Sequence, residues 1–366
     1  VRLPFLSSYR TLNVVNLFEA ALRHNLNSYR ELMPDKAICP VLKSNAYGHG
    51  LVEVARVLDE AVPEFLVVDS LYEAYELKKV GIKSKVLILG YTFEENLKGR
   101  RLPFHFACTS VEMAKVLIEM GASLHLKIDT GMNRMGFNVD ELQEVLPLLR
   151  KMGANVVGVM THLAEADMEA GDEFTRQQAD LFEEAVKQVR DAGFDPQWIH
   201  AGQTAGSLKL NDDRFNMVRL GLGLYGISLS EELNLRPVME VRSTVVEVRD
   251  LLLGDKVSYG GTFVADRKMK IAVVPFGYYE GLPWNLSSTG CFNVGGVICP
   301  IVGRVCMNYT MVDVSMVPGV AVGDPVVVYS AERGEANSIQ EMARLAKTIP
   351  YELMVRVAES VRREVV

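Results

Sequence analysis

The apolar positions of this chain come in short runs separated by longer amphipathic stretches. Runs at 38–43, 65–69, 86–90, 104–108, 124–129, 156–162, 198–201 and 217–225 have the length and flanking turn signals of buried strands. Charged segments with helical spacing lie between them, for example 110–120, 140–152 and 173–192. Residues 13–32 read as one more helix, with Val15, Phe18, Leu22 and Leu26 on a shared face. Eight strands interleaved with helices predict a parallel (β/α)8 barrel of the TIM type over residues 12–237. A doubly wound open sheet is the alternative, but its Gly-rich fingerprint after the first strand is missing.

After Arg236-Pro237 the texture changes. Residues 240–250 alternate as one strand, slightly broken at Val246, and further β-rich runs follow at 270–276, 294–306, 311–314 and 325–329. Gly and Pro separate them. This predicts a mainly-β C-terminal domain over 238–366, with a helix near 338–347 and a tail rich in Val, Glu and Arg. Residues 1–11 have no place in the barrel and are expected to join the β domain.

The chain has 366 residues, about half of them apolar, enough for a sizeable core. A formal net charge of -7 argues against nucleic acid and anionic membranes as partners. The five cysteines, Cys39, Cys108, Cys291, Cys299 and Cys306, form no C-x-x-C pair. They fit a reducing compartment and give no zinc or disulfide framework, so no metal is expected. No apolar run is long enough to span a bilayer, and the first residues do not read as a signal peptide.

In a (β/α)8 barrel, chemistry gathers at the carboxyl ends of the strands. Lys43 ends the first predicted strand, Lys127 and Asp129 the fifth and His162 the sixth. His200 lies near the end of the seventh, and Arg219 within the eighth. A lysine there either snorkels to solvent or offers an amine able to attack an aldehyde and form a Schiff base. Arg219, inside an apolar strand, needs a partner to be buried.

Four stretches carry a resemblance that covers nearly the whole chain. Val41-Leu42-Lys43-Ser44-Asn45-Ala46-Tyr47-Gly48-His49-Gly50 resembles the pyridoxal-phosphate attachment motif of the alanine racemase family, V-x-K-A/S-N-A-Y-G-H-G. Lys127-Ile128-Asp129-Thr130-Gly131-Met132-Asn133-Arg134 resembles the family's K-x-D-T-G-M-G/N-R run, and Asn216-Met217-Val218-Arg219-Leu220-Gly221 its N-x-V-R-x-G run. Val257-Ser258-Tyr259-Gly260 resembles the stretch around its second catalytic base.

The resemblance implies a fold type III, pyridoxal 5'-phosphate-dependent isomerase that interconverts L-alanine and D-alanine. Two bases would flank the cofactor: Lys43, and Tyr259 from the partner subunit, which implies a homodimer with shared active sites. Further implied contacts are Arg219 to the pyridine nitrogen, His162 against the ring, and a relay from Tyr259 through His162 to Arg219. Tyr47, Thr204, Gly221, Leu222 and Tyr351 would hold the phosphate. Arg134 and Met307 would meet the amino-acid substrate, and Lys127 would carry a carbamate that holds Arg134. The implied role is supply of D-alanine for peptidoglycan in the cytoplasm. Serine or broader specificity is the nearest alternative, and a pyridoxal-phosphate carrier the next. Two departures stand out: Asn308 where the family run P-I-V-G-R-V-C-M-D has aspartate, and Glu280 where P-x-G-Y-x-D-G has aspartate.

Overall fold

All eight apolar runs become strands, and the strands close into a ring. The computed structural model describes residues 10–168, 171–210, 213–227 and 233–366. One unit comprises Ala20–Ala46 and Val54–Arg236. Its barrel strands are β2 (Ala37–Pro40), β3 (Phe65–Val68), β4 (Lys85–Ile88), β5 (His105–Cys108), β6 (Ser123–Asp129), β8 (Asn155–Met160), β9 (Trp198–His200) and β10 (Met217–Leu220). Neighbours pair in parallel from β3 to β9, and β10 pairs with β2. A parallel bridge between Val41 and Val67 joins the first two strands. The N–H groups of Asn216 and Arg219 donate to the carbonyls of Ile199 and Gly202 at 3.1 and 3.0 Å, which joins the last two.

Helices cover the outside, so the strands are buried on both faces and read as unbroken apolar runs. Phe65, Leu66, Val67 and Val68 are all fully buried. Serine caps start two of the helices. Ser70 forms a capping box with Glu73 at Leu71–Lys79, and Ser110 accepts the N–H of Met113 at Val111–Glu119. The eighth run is shorter than its apolar pattern suggests. It ends at Leu220, and Leu222–Tyr225 is a single 3-10 turn closed by left-handed Gly226.

Among the described residues, the other unit comprises 10–19, Tyr47–Glu53 and Pro237–Val366. Its six-stranded sheet runs β17 (Val297–Pro300), β16 (Cys291–Val294), β19 (Pro325–Tyr329), β11 (Met239–Thr244), β1 (Val14–Leu17) and β20 (Arg362–Val365). A three-stranded sheet runs β12 (Glu247–Leu251), β15 (Met269–Val274) and β18 (Thr310–Asp313). No helix among the described residues is long and apolar enough to cross a membrane.

Three expectations change here. Residues 14–17 are a strand rather than the first turn of a helix; the helix is Glu19–Leu32. Val15 fits period 2 with Leu17 as well as a helical face with Phe18, and pairing with β11 and β20 decides between them. This strand brings the amino-terminal segment into the β sheet; residues 1–9, expected to do so, lie outside the described residues. The alternating run at 240–250 is two strands in two sheets. Val245 N–H donates to Asp324 O and Val246 N–H to Val273 O, so consecutive residues bond to different sheets and the chain turns a corner. The tail is ordered as a helix, Pro350–Arg356, and strand β20.

Candidate active site

Lys43 follows the end of β2, where the backbone is tightly held. Leu42 N–H donates to Val67 O at 2.7 Å, and the Tyr225 hydroxyl donates to Val41 O at 2.9 Å. The chain then enters a left-handed turn. Ser44, Asn45, Ala46 and Tyr47 have φ of 55, 54, 52 and 53°. Four non-glycine residues in that region cost about 1–2 kcal/mol each. Ala46 N–H closes the turn on Leu42 O at 2.8 Å, and Asn45 N–H reaches Glu73 Oε1 at 3.4 Å. The buried Glu73 carboxylate also takes the N–H groups of Asp69 and Ser70. Strain of this kind is stored where a side chain must be aimed, and the side chain here is Lys43.

Lys127 lies on β6, buried, opposite Met160. Its ammonium is pushed down to about 8, first by burial, then by the charges of Arg134 and Arg219, with Lys43 contributing. Asp129 would be raised by burial, but the N–H groups of Gly131, Asn133 and Arg134, at 2.9–3.0 Å, outweigh this and hold it below its ordinary value. This carboxylate folds the loop back on itself. The loop needs positive φ at Gly131, where an added Cβ would lie 2.8 Å from the Phe174 ring.

Arg219 is 2% exposed, and both of its terminal nitrogens are engaged. One terminal nitrogen donates to His200 Nδ1 at 2.8 Å and His200 O at 3.0 Å. The other donates to Thr161 O at 2.8 Å, Ala201 O at 3.1 Å and His162 Nδ1 at 3.3 Å. Burial lowers the guanidinium to about 10, so it stays protonated at neutral pH. Burial, then Arg219 and the other cations at the barrel mouth, push His162 down to about 3. The predicted group of Lys43, Lys127, Arg134, His162 and Arg219 therefore converges at one end of the barrel.

Behind Arg219 runs a file of histidines that the sequence reading passed over in part. His200 Nε2 meets His125 Nδ1 at 2.9 Å, and His125 Nε2 meets His105 Nδ1 at 3.2 Å. Burial holds His125 and His200 well below their ordinary value and His105 at about 4, so all three are neutral. An arginine can only donate, so His200 Nδ1 must accept and its Nε2 carries the proton. The same order then propagates to His125 and His105. Gly158 makes room: an added Cβ there would lie 2.3 Å from His125 Nδ1. A glycine inside the apolar run at 156–162 was the available signal.

Thr204 is buried at the start of the short helix Thr204–Lys209, and its Oγ1 accepts the N–H groups of Gly221 and Gly223 at 3.2 Å each. Leu222 opens the 3-10 turn between those glycines. In the other unit, Tyr47 is mostly buried and raised to about 12, first by burial and then by Tyr351, so these two phenols are neighbours. Tyr259 and Met307 are 69% and 54% exposed. Tyr259 sits in a turn between Ser258 and Gly260, both at positive φ, which aims its ring outward.

The family model for the alanine racemase N-terminal domain matches residues 19–229, and that for the C-terminal domain matches 238–365. The alanine racemase of Leptospira interrogans is 32% identical over 96% of this chain and 95% of its own length. A crystal structure of alanine racemase from D-cycloserine-producing Streptomyces lavendulae superposes with a TM-score of 0.88 at 31% identity, covering 98% of both chains. That of Clostridium difficile 630 gives 0.90 at 32% identity, covering 97% of this chain and 96% of its own. Barrel and strand-rich unit agree with these matches: the chain belongs to the alanine racemase family.

Proposed function

We propose that this chain interconverts L-alanine and D-alanine with pyridoxal 5'-phosphate, as a homodimer, and supplies D-alanine for peptidoglycan in the cytoplasm. The observation that carries the reading is the group of cations at the barrel end: Lys43 aimed by a strained turn, beside Lys127, Arg134 and an Arg219 fixed through its two terminal nitrogens. The donor set fits the cofactor. In the barrel unit the Thr204 hydroxyl and the Leu222 N–H are donors suited to a phosphate, with the Gly221 N–H held by Thr204 Oγ1. The hydroxyls of Tyr47 and Tyr351 are the donors that the resemblance adds. Lys43 supplies an amine for an aldehyde, and Arg219 a fixed donor for a pyridine nitrogen. When bound, the group would supply a conjugated system able to delocalise the charge left by removal of the α-proton.

The chain's own residues supply the rest. The Lys43 amine moves the α-proton on one face, and Tyr259 of the neighbouring copy moves it on the other. Arg219 keeps its proton, so it withholds full protonation from whatever it faces. It also donates to His162 Nδ1, which leaves the proton of that neutral imidazole on Nε2. Arg134 and Met307 meet the substrate, and a carbamate on Lys127 would be the anion that holds Arg134. The outward aim of Tyr259 supports the shared-site reading.

The test is Tyr259→Phe assayed for solvent deuterium in each alanine enantiomer, with cofactor absorbance on the same sample. Exchange should be lost from one enantiomer and cofactor absorbance retained. Unchanged exchange on both faces sinks the two-base reading. Serine turnover above alanine in the parent chain sinks the substrate assignment.

A further inference from the structure

The two departures from the family runs, Glu280 and Asn308, touch each other. Asn308 Nδ2 donates to Glu280 Oε1 at 2.9 Å, and Gly277 N–H donates to Glu280 Oε2 at 2.8 Å. Glu280 is 9% exposed. We infer that these two residues are a mutually adjusted, single-charge pair of positioning residues that fixes Met307 for the amino-acid substrate. The inference rests on the proposal above that Met307 borders that substrate.

The surrounding backbone has little slack. Tyr278 N–H donates to Cys306 O at 3.0 Å, and Tyr279 N–H donates to Met307 O at 2.9 Å. An added Cβ on Gly277 would lie 2.3 and 2.4 Å from the carbonyl oxygens of Cys306 and Met307. One on Gly281 would lie 2.5 Å from Arg356 O, and Ala358 N–H donates to Glu280 O at 3.1 Å. A displacement at Asn308 therefore moves Met307 with it, because close-packed backbone transmits shifts rather than absorbing them.

The identity of the pair follows from its chemistry. A carboxylate at 308 facing Glu280 would bring two acceptors together at this spacing with no donor between them. Here the amide at 308 supplies the donor, and the longer glutamate reaches it. The titratable or charged side chains on the laced segments are Tyr278, Tyr279, Cys306, Tyr309 and Arg356, and Arg356 pairs with Glu352. The hydrogen bonds described for the Glu280 carboxylate run to none of them.

The experiment uses the cofactor-loaded full chain, with Asn308→Asp and the charge-swapped Glu280→Gln/Asn308→Asp. At about pH 8 the single variant should lose roughly tenfold in kcat/KM for alanine, mostly through KM, with cofactor absorbance unchanged. The swap should recover to within about threefold. Two facing carboxylates share a proton, so one folded-state pKa is raised. The melting temperature of Asn308→Asp should thus match the parent near about pH 4 and fall below it as pH rises. Activity within about twofold of the parent together with a flat difference in melting temperature overturns the pair. The melting pattern with an unchanged KM overturns the link to Met307. A parent chain that does not racemise alanine, yet shows the melting pattern in its variant, overturns the racemase reading and leaves the pair standing.

Discussion

Replacing Arg219 by lysine keeps the charge and removes the fork. The guanidinium serves five acceptors: His200 Nδ1, His162 Nδ1, and the carbonyls of His200, Thr161 and Ala201. An ammonium has three donors on one atom, so at least two acceptors lose this partner. His200 O also accepts the Thr161 N–H at 3.1 Å and stays paired. One or two acceptors are therefore left unpaired at about 1–3 kcal/mol each, giving roughly 1–6 kcal/mol for Arg219→Lys. The barrel's own reporter is Trp198, on β9 and buried. The chain's other tryptophan, Trp284, lies in the second unit and can be changed to Phe in both proteins. Urea unfolding followed by Trp198 fluorescence should show a lower midpoint with an unchanged slope. In the parent, the Nδ1 of His200 should carry no proton in a 15N spectrum, as its acceptor role requires. A stability loss under about 1 kcal/mol would falsify the claim that fork geometry is what makes this burial tolerable.

Two further tests address the lysine and the turn. Lys127 titrates near 8 when folded and near about 10.4 when unfolded, so the unfolded state binds more protons between these values and stability rises with pH through that window. In CO2-free buffer, Lys127→Met should be more stable than the parent by about 3 kcal/mol below about pH 8, with the difference shrinking toward about pH 10. A constant difference across the window refutes the titration, and bicarbonate added to the parent should raise its intact mass by one CO2 at Lys127. Gly48→Ala places a Cβ 1.9 Å from Met354 O at a φ of +82°, so calorimetry should show a loss of about 2–4 kcal/mol. Gly254→Ala, at φ +92° with nothing within 4 Å, should lose only about 1–2 kcal/mol, and equal losses refute the contact argument.

The sequence by itself determined the alternation of eight apolar strands with amphipathic helices, because burial on both faces leaves an unbroken apolar run. It also marked Lys43, Lys127 and His162 as polar residues at strand ends and Arg219 as one within a strand. Those signals are local, and local periodicity is what a sequence displays. Tertiary structure decided what depends on partners distant in the chain. Residues 14–17 became a strand through β11 and β20, more than 200 positions away. The run at 240–250 split where neighbouring amides found different sheets. The histidine file joins residues 105 and 125 on neighbouring strands to residue 200 on a strand that pairs with neither, and its tautomers are set by an arginine at its far end. Glu280 and Asn308 looked like two separate departures until one side chain was seen to supply the other's hydrogen bond. Periodicity fixes which face a residue takes, whereas a hydrogen bond between distant residues exists only once the backbone has brought donor and acceptor within reach.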